Sequence, residues 1–354
     1  MLSLVLTYRN RDLEIVKRCL ASLKMQTDKA FRVFLINYGS SDTFTVEIER
    51  LVKLYDFLDY IFVPACGQLW NKSKAINIGL KKSNSKLVLI ADIDMIFHPN
   101  LISKCQDIYQ KFGMFYLQTG FLNKIETEKK LDFNNLKVAF KSSLGATGIS
   151  LFELDALKSI GGYDEFYHGW GAEDTDVHLR LKNAGYSIYF YDQEILIKHQ
   201  WHPKLYRSKK SLFPYHSFLE QINHQYMLQK QKNMVVSANQ NYEWGVIPNK
   251  GINDSIQVSR LKITPESSKV KAVLFNVKMR NEKANIIIEK VPSREKIKNA
   301  VKKKLGKKYK DYFSINELNN YILEFLIFHH YKYVYEYKID WKEEKVFLKI
   351  QPII

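Results

Sequence analysis

Leu87-Val88-Leu89-Ile90-Ala91-Asp92-Ile93-Asp94 is a short apolar run that ends in two carboxylates. Four consecutive aliphatic residues read as a strand buried on both faces. Carboxylates at the point where such a strand stops fall on the crevice outside the carboxyl ends of an open α/β sheet, where ligands bind. Side chains two apart on an extended backbone share a face, so Asp92 and Asp94 are expected to converge on one hard divalent cation, directly or through water. Taken alone, an Asp-x-Asp triplet has a plainer reading as loop carboxylates or a helix cap.

Upstream of this strand the pattern alternates. Residues 2–7 read as a strand, Tyr8-Arg9-Asn10-Arg11-Asp12 as a polar loop, and Leu13, Val16, Leu20 and Leu23 as one face of a helix. A second strand, Phe31–Asn37, runs into the turn-rich Tyr38-Gly39-Ser40-Ser41-Asp42. Tyr60–Val63 and the helix pattern Asn71–Leu80 then lead to Leu87. Strands alternating with helices imply an α/β fold with a doubly wound, mostly parallel sheet. Downstream the pattern loosens through residues 100–145. Gly145–Gly148 then leads into a strand at Ile149–Phe152 and a short helix from about Asp155. Thr175–Asn183 reads as helix and Ser187–Tyr191 as strand, followed by Ile195–Pro203.

This unit is expected to span residues 1–204, with residues 205–354 forming a basic C-terminal α/β accessory region. From about Lys209 the composition shifts toward Gln, Asn and Lys. Residues 270–290 read as two short strands around Arg280-Asn281-Glu282, Lys296–Lys310 as an amphipathic basic helix, and Tyr331–Ile350 as strand.

The chain's 354 residues, 46% hydrophobic and 14% aromatic, suffice for one large domain and a smaller one. Met1–Leu6 reaches Arg9 and Arg11 too soon for a secretory leader and reads as the first strand. The longest apolar stretch, Tyr321–Phe328, is too short to cross a bilayer. Three cysteines, Cys19, Cys66 and Cys105, lack paired or metal-ligand spacing, which fits a reducing cytoplasm. A net charge of +17 asks for an acidic partner: a phosphate-bearing substrate, an anionic membrane surface, an acidic polysaccharide or nucleic acid. No nucleic-acid motif accompanies the 22 tyrosines and 21 phenylalanines, which fall largely in strand-like segments where core packing accounts for them.

A second acidic cluster lies in Gly169-Trp170-Gly171-Ala172-Glu173-Asp174-Thr175-Asp176. It offers an aromatic platform, a backbone free to approach a ligand, and a carboxylate pair able to take a hydroxyl proton. It has a plainer reading too, as a buried aromatic before a helix whose first-turn acids complement the macrodipole, and both can hold at once. His199 and His202 end a later apolar run and are candidates to complete a metal shell, His199 first. Arg9 and Arg11 suit a diphosphate or a solvated loop. Asp42 suits a nucleotide edge or a helix cap, and Lys72 and Lys74 suit phosphate or a solvated helix face.

With these stretches in order, the chain resembles metal-dependent glycosyltransferases of the GT-A fold, family 2-like, and is similar to the β-1,4-galactosyltransferase and bacterial chondroitin-polymerase group. The resemblance is carried by Tyr8-Arg9-Asn10-Arg11, Trp70–Gly79, Asp92-Ile93-Asp94, Gly169–Asp174 and Lys198-His199-Gln200. It implies Thr7, Arg9, Arg11, Asp42, Lys72, Asp92 and Ile93 on the nucleotide and Asp92, Asp94 and His199 on Mn2+ or Mg2+. It also implies Trp170, Gly171 and Glu173 on acceptor or donor sugar, and Asp174 as catalytic base. The implied reaction is inverting transfer of a hexose or N-acetylhexosamine from a UDP-sugar to a glycan or glycolipid acceptor, in bacterial surface polysaccharide synthesis. The implied location is cytoplasmic or peripheral at the inner face of the membrane, with no nucleic-acid partner. Two departures stand out: the second strand ends in Asn37-Tyr38-Gly39 where the family commonly places an acid, and a related Trp-Gly-x-Glu-Asp pattern occurs in retaining enzymes. The alternatives are a retaining transferase on the same fold and a non-catalytic glycan- or nucleic-acid-binding protein.

Overall fold

The computed structural model describes residues 1–203, 214–248 and 259–353. The expected shift in composition near Lys209 lies outside the described residues. The first half alternates as its periodicity predicts: β1 (Leu2–Tyr8), α1 (Leu13–Lys24), β2 (Phe31–Tyr38), α2 (Asp42–Val52), β3 (Leu58–Val63), α3 (Lys72–Lys82) and β4 (Leu87–Asp92). Val16, Leu20 and Leu23 of α1 are wholly buried, each contributing about 1.5–3 kcal/mol of apolar burial. Asp12 caps this helix by accepting from the Glu14 amide.

Shorter elements follow: β5 (Met95–Phe97), α4 (Leu101–Phe112), β6 (Phe115–Leu117), β7 (Thr119–Phe121), α5 (Lys124–Glu128), β8 (Phe140–Lys141), β9 (Ser150–Glu153), α6 (Leu154–Ser159), α7 (Glu173–Asn183), β10 (Tyr189–Tyr191) and β11 (Ile197–His199). The main sheet has seven strands in the order β10-β6-β9-β4-β1-β2-β3. It is parallel except for β9, which runs antiparallel to both β4 and β6. A second sheet, β5-β11-β7-β8, pairs β11 antiparallel to β5 and parallel to β7.

The chain divides into two compact units. The first comprises Met1–Pro64, Trp70–Pro203 and Glu220–Ile247, so it takes in more than the expected residues 1–204. Most of α8 (Leu219–Lys232) therefore belongs to it, held by buried Asn223 and Lys230. The Gln- and Lys-rich surface of this helix hid that buried face from the composition.

The second unit, among the described residues, contains Ala65–Leu69, 214–219, Pro248 and 259–353. Its elements are β12 (Arg260–Ile263), α9 (Ser267–Arg280), β13 (Ala284–Ile288), α10 (Ser293–Lys304), α11 (Ile315–Phe328), β14 (Tyr333–Asp340) and β15 (Lys345–Pro352), with sheet order β12-β13-β15-β14. The first of the two strands expected in 270–290 is instead helix α9. Val270, Leu274 and Val277 are buried at helical spacing, and Asn281 ends the helix in the left-handed region at φ 51°. β14 buries alternate residues from Tyr335 to Ile339, as the sequence pattern requires. No described helix is long and apolar enough to cross a membrane.

Candidate active site and metal centre

β4 ends at Asp92, and Ile93-Asp94 form a turn into β5 rather than continuing the strand. The extended-backbone argument for convergence therefore does not apply, and the two carboxylates have different partners: Asp92 Oδ1 lies 3.1 Å from Lys72 Nζ, whereas Asp94 meets two histidines and Arg11. Asp94 turns inward, and β5 is paired with β11 so that Met95 stands opposite His199. The Gln200 amide donates to the Asp94 carbonyl at 2.9 Å and fixes that register. His199 Nε2 then lies 3.7 Å from Asp94 Oδ1, and His202 Nε2 lies 3.1 Å from Oδ2. One ligand atom from each of the three falls within 4.8 Å of the others. His199 and His202 are thus joint members of one cluster, not competitors for one position.

Arg11 completes this corner, with Nη2 3.2 Å from Asp94 Oδ2 and Nη1 2.9 Å from His202 Nδ1. Burial pushes the Asp94 carboxyl upward in pKa. The hydrogen bond with His202 and the charges of His199, Arg11 and His202 outweigh it and hold the group well below the usual carboxylate range. Burial lowers the His199 pKa, which leaves an imidazole lone pair available. Asp94 Oδ1 is buried with no hydrogen-bond partner. A carboxylate with a free oxygen beside two imidazoles fits a divalent first-row cation.

The second cluster stands on a strained turn. Gly169, Gly171 and Ala172 all have positive φ, at 73°, 99° and 74°. Glycine adopts this region freely, whereas Ala172 stores strain of about 1–3 kcal/mol, a level typical of functional turns. α7 starts immediately after, so Glu173 and Asp174 occupy its first turn while Trp170 is half exposed. Lys72, the first residue of α3, sits among three acids: 3.1 Å from Asp92 Oδ1, 3.3 Å from Asp174 Oδ2 and 3.5 Å from Glu173 Oε1. Burial raises Asp174, with Lys72 opposing. Burial and the Asp174 charge push Glu173 up to about 7, again against Lys72. Burial disfavours the Lys72 ammonium, but the three carboxylates outweigh this and raise its pKa well above the usual value. Asp174 Oδ1 is buried without a hydrogen-bond partner, which leaves a lone pair for a proton. Gly148 faces the same carboxylate: a Cβ there would meet Asp174 Oδ2 at 3.1 Å.

The other expected residues are distributed unevenly. Thr7 is buried in β1 and paired with Asp92 on β4. Arg9 is half-buried in the loop that carries Arg11, and Ile93 belongs to the hydrophobic core. Asp42 is exposed in the first turn of α2, whose N-cap is Ser41. Asn37 spends its amide on Tyr60 Oη at 2.8 Å and accepts from the Ser40 amide at 3.2 Å.

Two asparagines of the Trp70–Gly79 stretch, absent from the expected site residues, support the site. Asn71 caps α3 and donates to the Glu165 carbonyl at 2.7 Å. Asn77 donates to the Tyr163 carbonyl at 2.8 Å and accepts from its amide at 2.8 Å. They tie α3, and Lys72 with it, to the segment preceding Trp170. The signal was present: Asn77 is a polar residue between Ile76 and Ile78 on a buried helix.

The model of glycosyl transferase family 2 matches residues 3–141, and that of the N-terminal domain of galactosyltransferase matches residues 128–202. Over residues 3–202 the chain is thus similar to family 2 glycosyl transferases and to the N-terminal domain of galactosyltransferase. Among curated proteins it is similar to mouse (Mus musculus) chondroitin sulfate synthase 3, 24% identical over 168 residues, which is 44% of this chain and 18% of that protein. It is also similar to human (Homo sapiens) β-1,4-galactosyltransferase 4, 22% identical over 132 residues, covering 36% of this chain and 33% of the other. The chain thus spans no more than a third of these relatives. Among solved structures it is similar to S. aureus TarS 1–349 in complex with UDP, with a TM-score of 0.49, 13% identity, and coverage of 68% of this chain and 67% of that one.

Proposed function

We propose that the protein is an inverting, metal-dependent transferase that moves a hexose or N-acetylhexosamine from a UDP-sugar to a glycan or glycolipid acceptor in bacterial surface polysaccharide synthesis. The observation that carries this is the pair of acidic clusters on one sheet edge. One is built to hold a cation, and the other keeps a carboxylate free to take a proton. Asp94, His199 and His202 would hold Mn2+ or Mg2+, which when bound neutralises charge on the departing diphosphate as a Lewis acid. Arg11 would turn its guanidinium to the diphosphate, and Lys72, already among Asp92, Glu173 and Asp174, would offer its ammonium to the same anion. Thr7, Ile93 and Asp42 border the donor side in this reading. Trp170 lays an aromatic face against the acceptor sugar beside Glu173. Asp174 takes the acceptor hydroxyl proton while that oxygen forms the new bond on the face opposite the leaving group, which inverts the anomeric carbon.

In the second unit, α10 has no buried residue and exposes Ile297, Val301 and Leu305 among lysines. This favours contact with an anionic membrane surface at the inner face of the membrane, worth about 1 kcal/mol per surface lysine. Replacing the lysines between 302 and 308 by glutamate is expected to abolish sedimentation with anionic liposomes; unchanged sedimentation contradicts that contact. The transferase reading is tested by UDP release from a panel of UDP-sugars with manganese. One donor turned over only with metal is expected. An absence of turnover across the panel, with tight binding of an acidic polymer instead, removes the reading.

A further inference from the structure

α8 lies beyond the residues that either family model matches, yet one of its faces grips the catalytic turn. Asn223, Tyr226 and Lys230 follow one another at helical spacing and point the same way. Asn223 Nδ2 donates to the His168 carbonyl at 2.9 Å and to the Trp170 carbonyl at 3.3 Å. Lys230 Nζ lies 2.5 Å from Asp176 Oδ1 and 2.7 Å from Asp164 Oδ2, and Tyr226 Oη donates to Asp164 Oδ2 at 3.0 Å. Asp176 is the last acid of the Gly169–Asp176 stretch. It is wholly buried and also takes Arg180 Nε at 2.7 Å and Tyr167 Oη at 3.1 Å. The remaining Arg180 nitrogens donate to the Ile160 and Gly162 carbonyls at 2.8 Å each. Two carboxylates, Asp164 and Asp176, and two cations, Lys230 and Arg180, balance inside the unit.

This arrangement fixes two things at once. The backbone of Trp170 is held from α8 through Asn223, and the first turn of α7, which carries Glu173 and Asp174, is held through Asp176 and Lys230. The turn between them is strained at Ala172, so it keeps its shape only while both ends are held. We infer that Asn223 and Lys230 are positioning residues of the transfer reaction, holding Trp170 and Asp174 in register with the donor. This rests on the transferase reading above, and it makes the catalytic unit incomplete without residues 220–247.

Full-length Lys230→Met, the charge-balanced pair Lys230→Met with Asp164→Asn, and Asn223→Ala are compared with wild type. The readouts are kcat and KM for transfer, UDP affinity with manganese, and amide hydrogen exchange across residues 163–176. The variants are expected to keep UDP affinity within about twofold, lose about 10- to 100-fold in kcat and exchange those amides faster, with Lys230→Arg recovering most of the loss. If Lys230→Met does not fold, the charge-balanced pair and Asn223→Ala carry the test. Unchanged kcat and exchange overturn the inference, and so does a fall in UDP affinity that matches the fall in kcat. If wild type itself transfers no sugar, the transferase reading fails, while the exchange comparison still decides whether α8 holds the turn.

Discussion

The two carboxylate clusters at the end of the main sheet are made of the same side chain in opposite conditions. Around Asp94, two imidazoles and a guanidinium overcome burial and keep the group ionised. Around Asp174 and Glu173, burial prevails over a single lysine and pushes both carboxyls up, helped by the Asp92 charge at Asp174 and by the Asp174 charge at Glu173. Environment, not residue type, separates a group suited to holding a cation from a group suited to taking a proton. Lys72 belongs to the second cluster, in ion pairs with Asp92, Asp174 and Glu173.

Breaking the first cluster has the largest expected effect. Asp94→Ala leaves His199, His202 and Arg11 with no carboxylate between them, and transfer is expected to fall by at least about 10³-fold in a UDP-release assay. Asp174→Asn removes the proposed base alone and is expected to lower kcat by about 10²- to 10⁴-fold. A kcat near wild type for this variant would move the base elsewhere. Lys72→Met sharpens the contrast. Losing the cation raises the Glu173 and Asp174 pKa values further, so the base ionises at higher pH and the acid limb of the kcat profile shifts to higher pH. A shift to lower pH would contradict the electrostatic assignment.

The smallest effect is on stability. Because the folded-state pKa of Glu173 is raised to about 7 from the ordinary 4.5, the folded chain binds an extra proton between those values. Its contribution to stability is present below about pH 4.5 and lost as the pH rises through about 7. Glu173→Gln removes that loss, so denaturant titrations should show the variant more stable than wild type by about 1–2 kcal/mol at pH 8 and not at pH 4.5.

The parts legible in the sequence were those written in strong periods. β1 to β4 and the helices between them follow from apolar runs and the Leu13, Val16, Leu20, Leu23 face, and Gly169–Asp174 announces a turn before a helix. The geometry at Asp92 and Asp94 was not legible, because whether a strand continues two residues or turns is decided by β5 pairing with β11, about 100 residues downstream. His202 joins His199 for the same tertiary reason. α9 was half misread, since Val270, Leu274 and Val277 sit in a stretch rich in β-branched residues where short periods are ambiguous. α8 was hidden because two of the four residues it buries, Asn223 and Lys230 beside Leu219 and Met227, are polar and interrupt the hydrophobic pattern.

The separation of the two clusters is tested most directly by calorimetric titration of manganese with UDP into Asp94→Ala and Asp174→Asn, beside wild type. Asp174→Asn is expected to bind the pair as wild type does, and Asp94→Ala is not. Loss of binding in Asp174→Asn, or wild-type binding in Asp94→Ala, would contradict that separation.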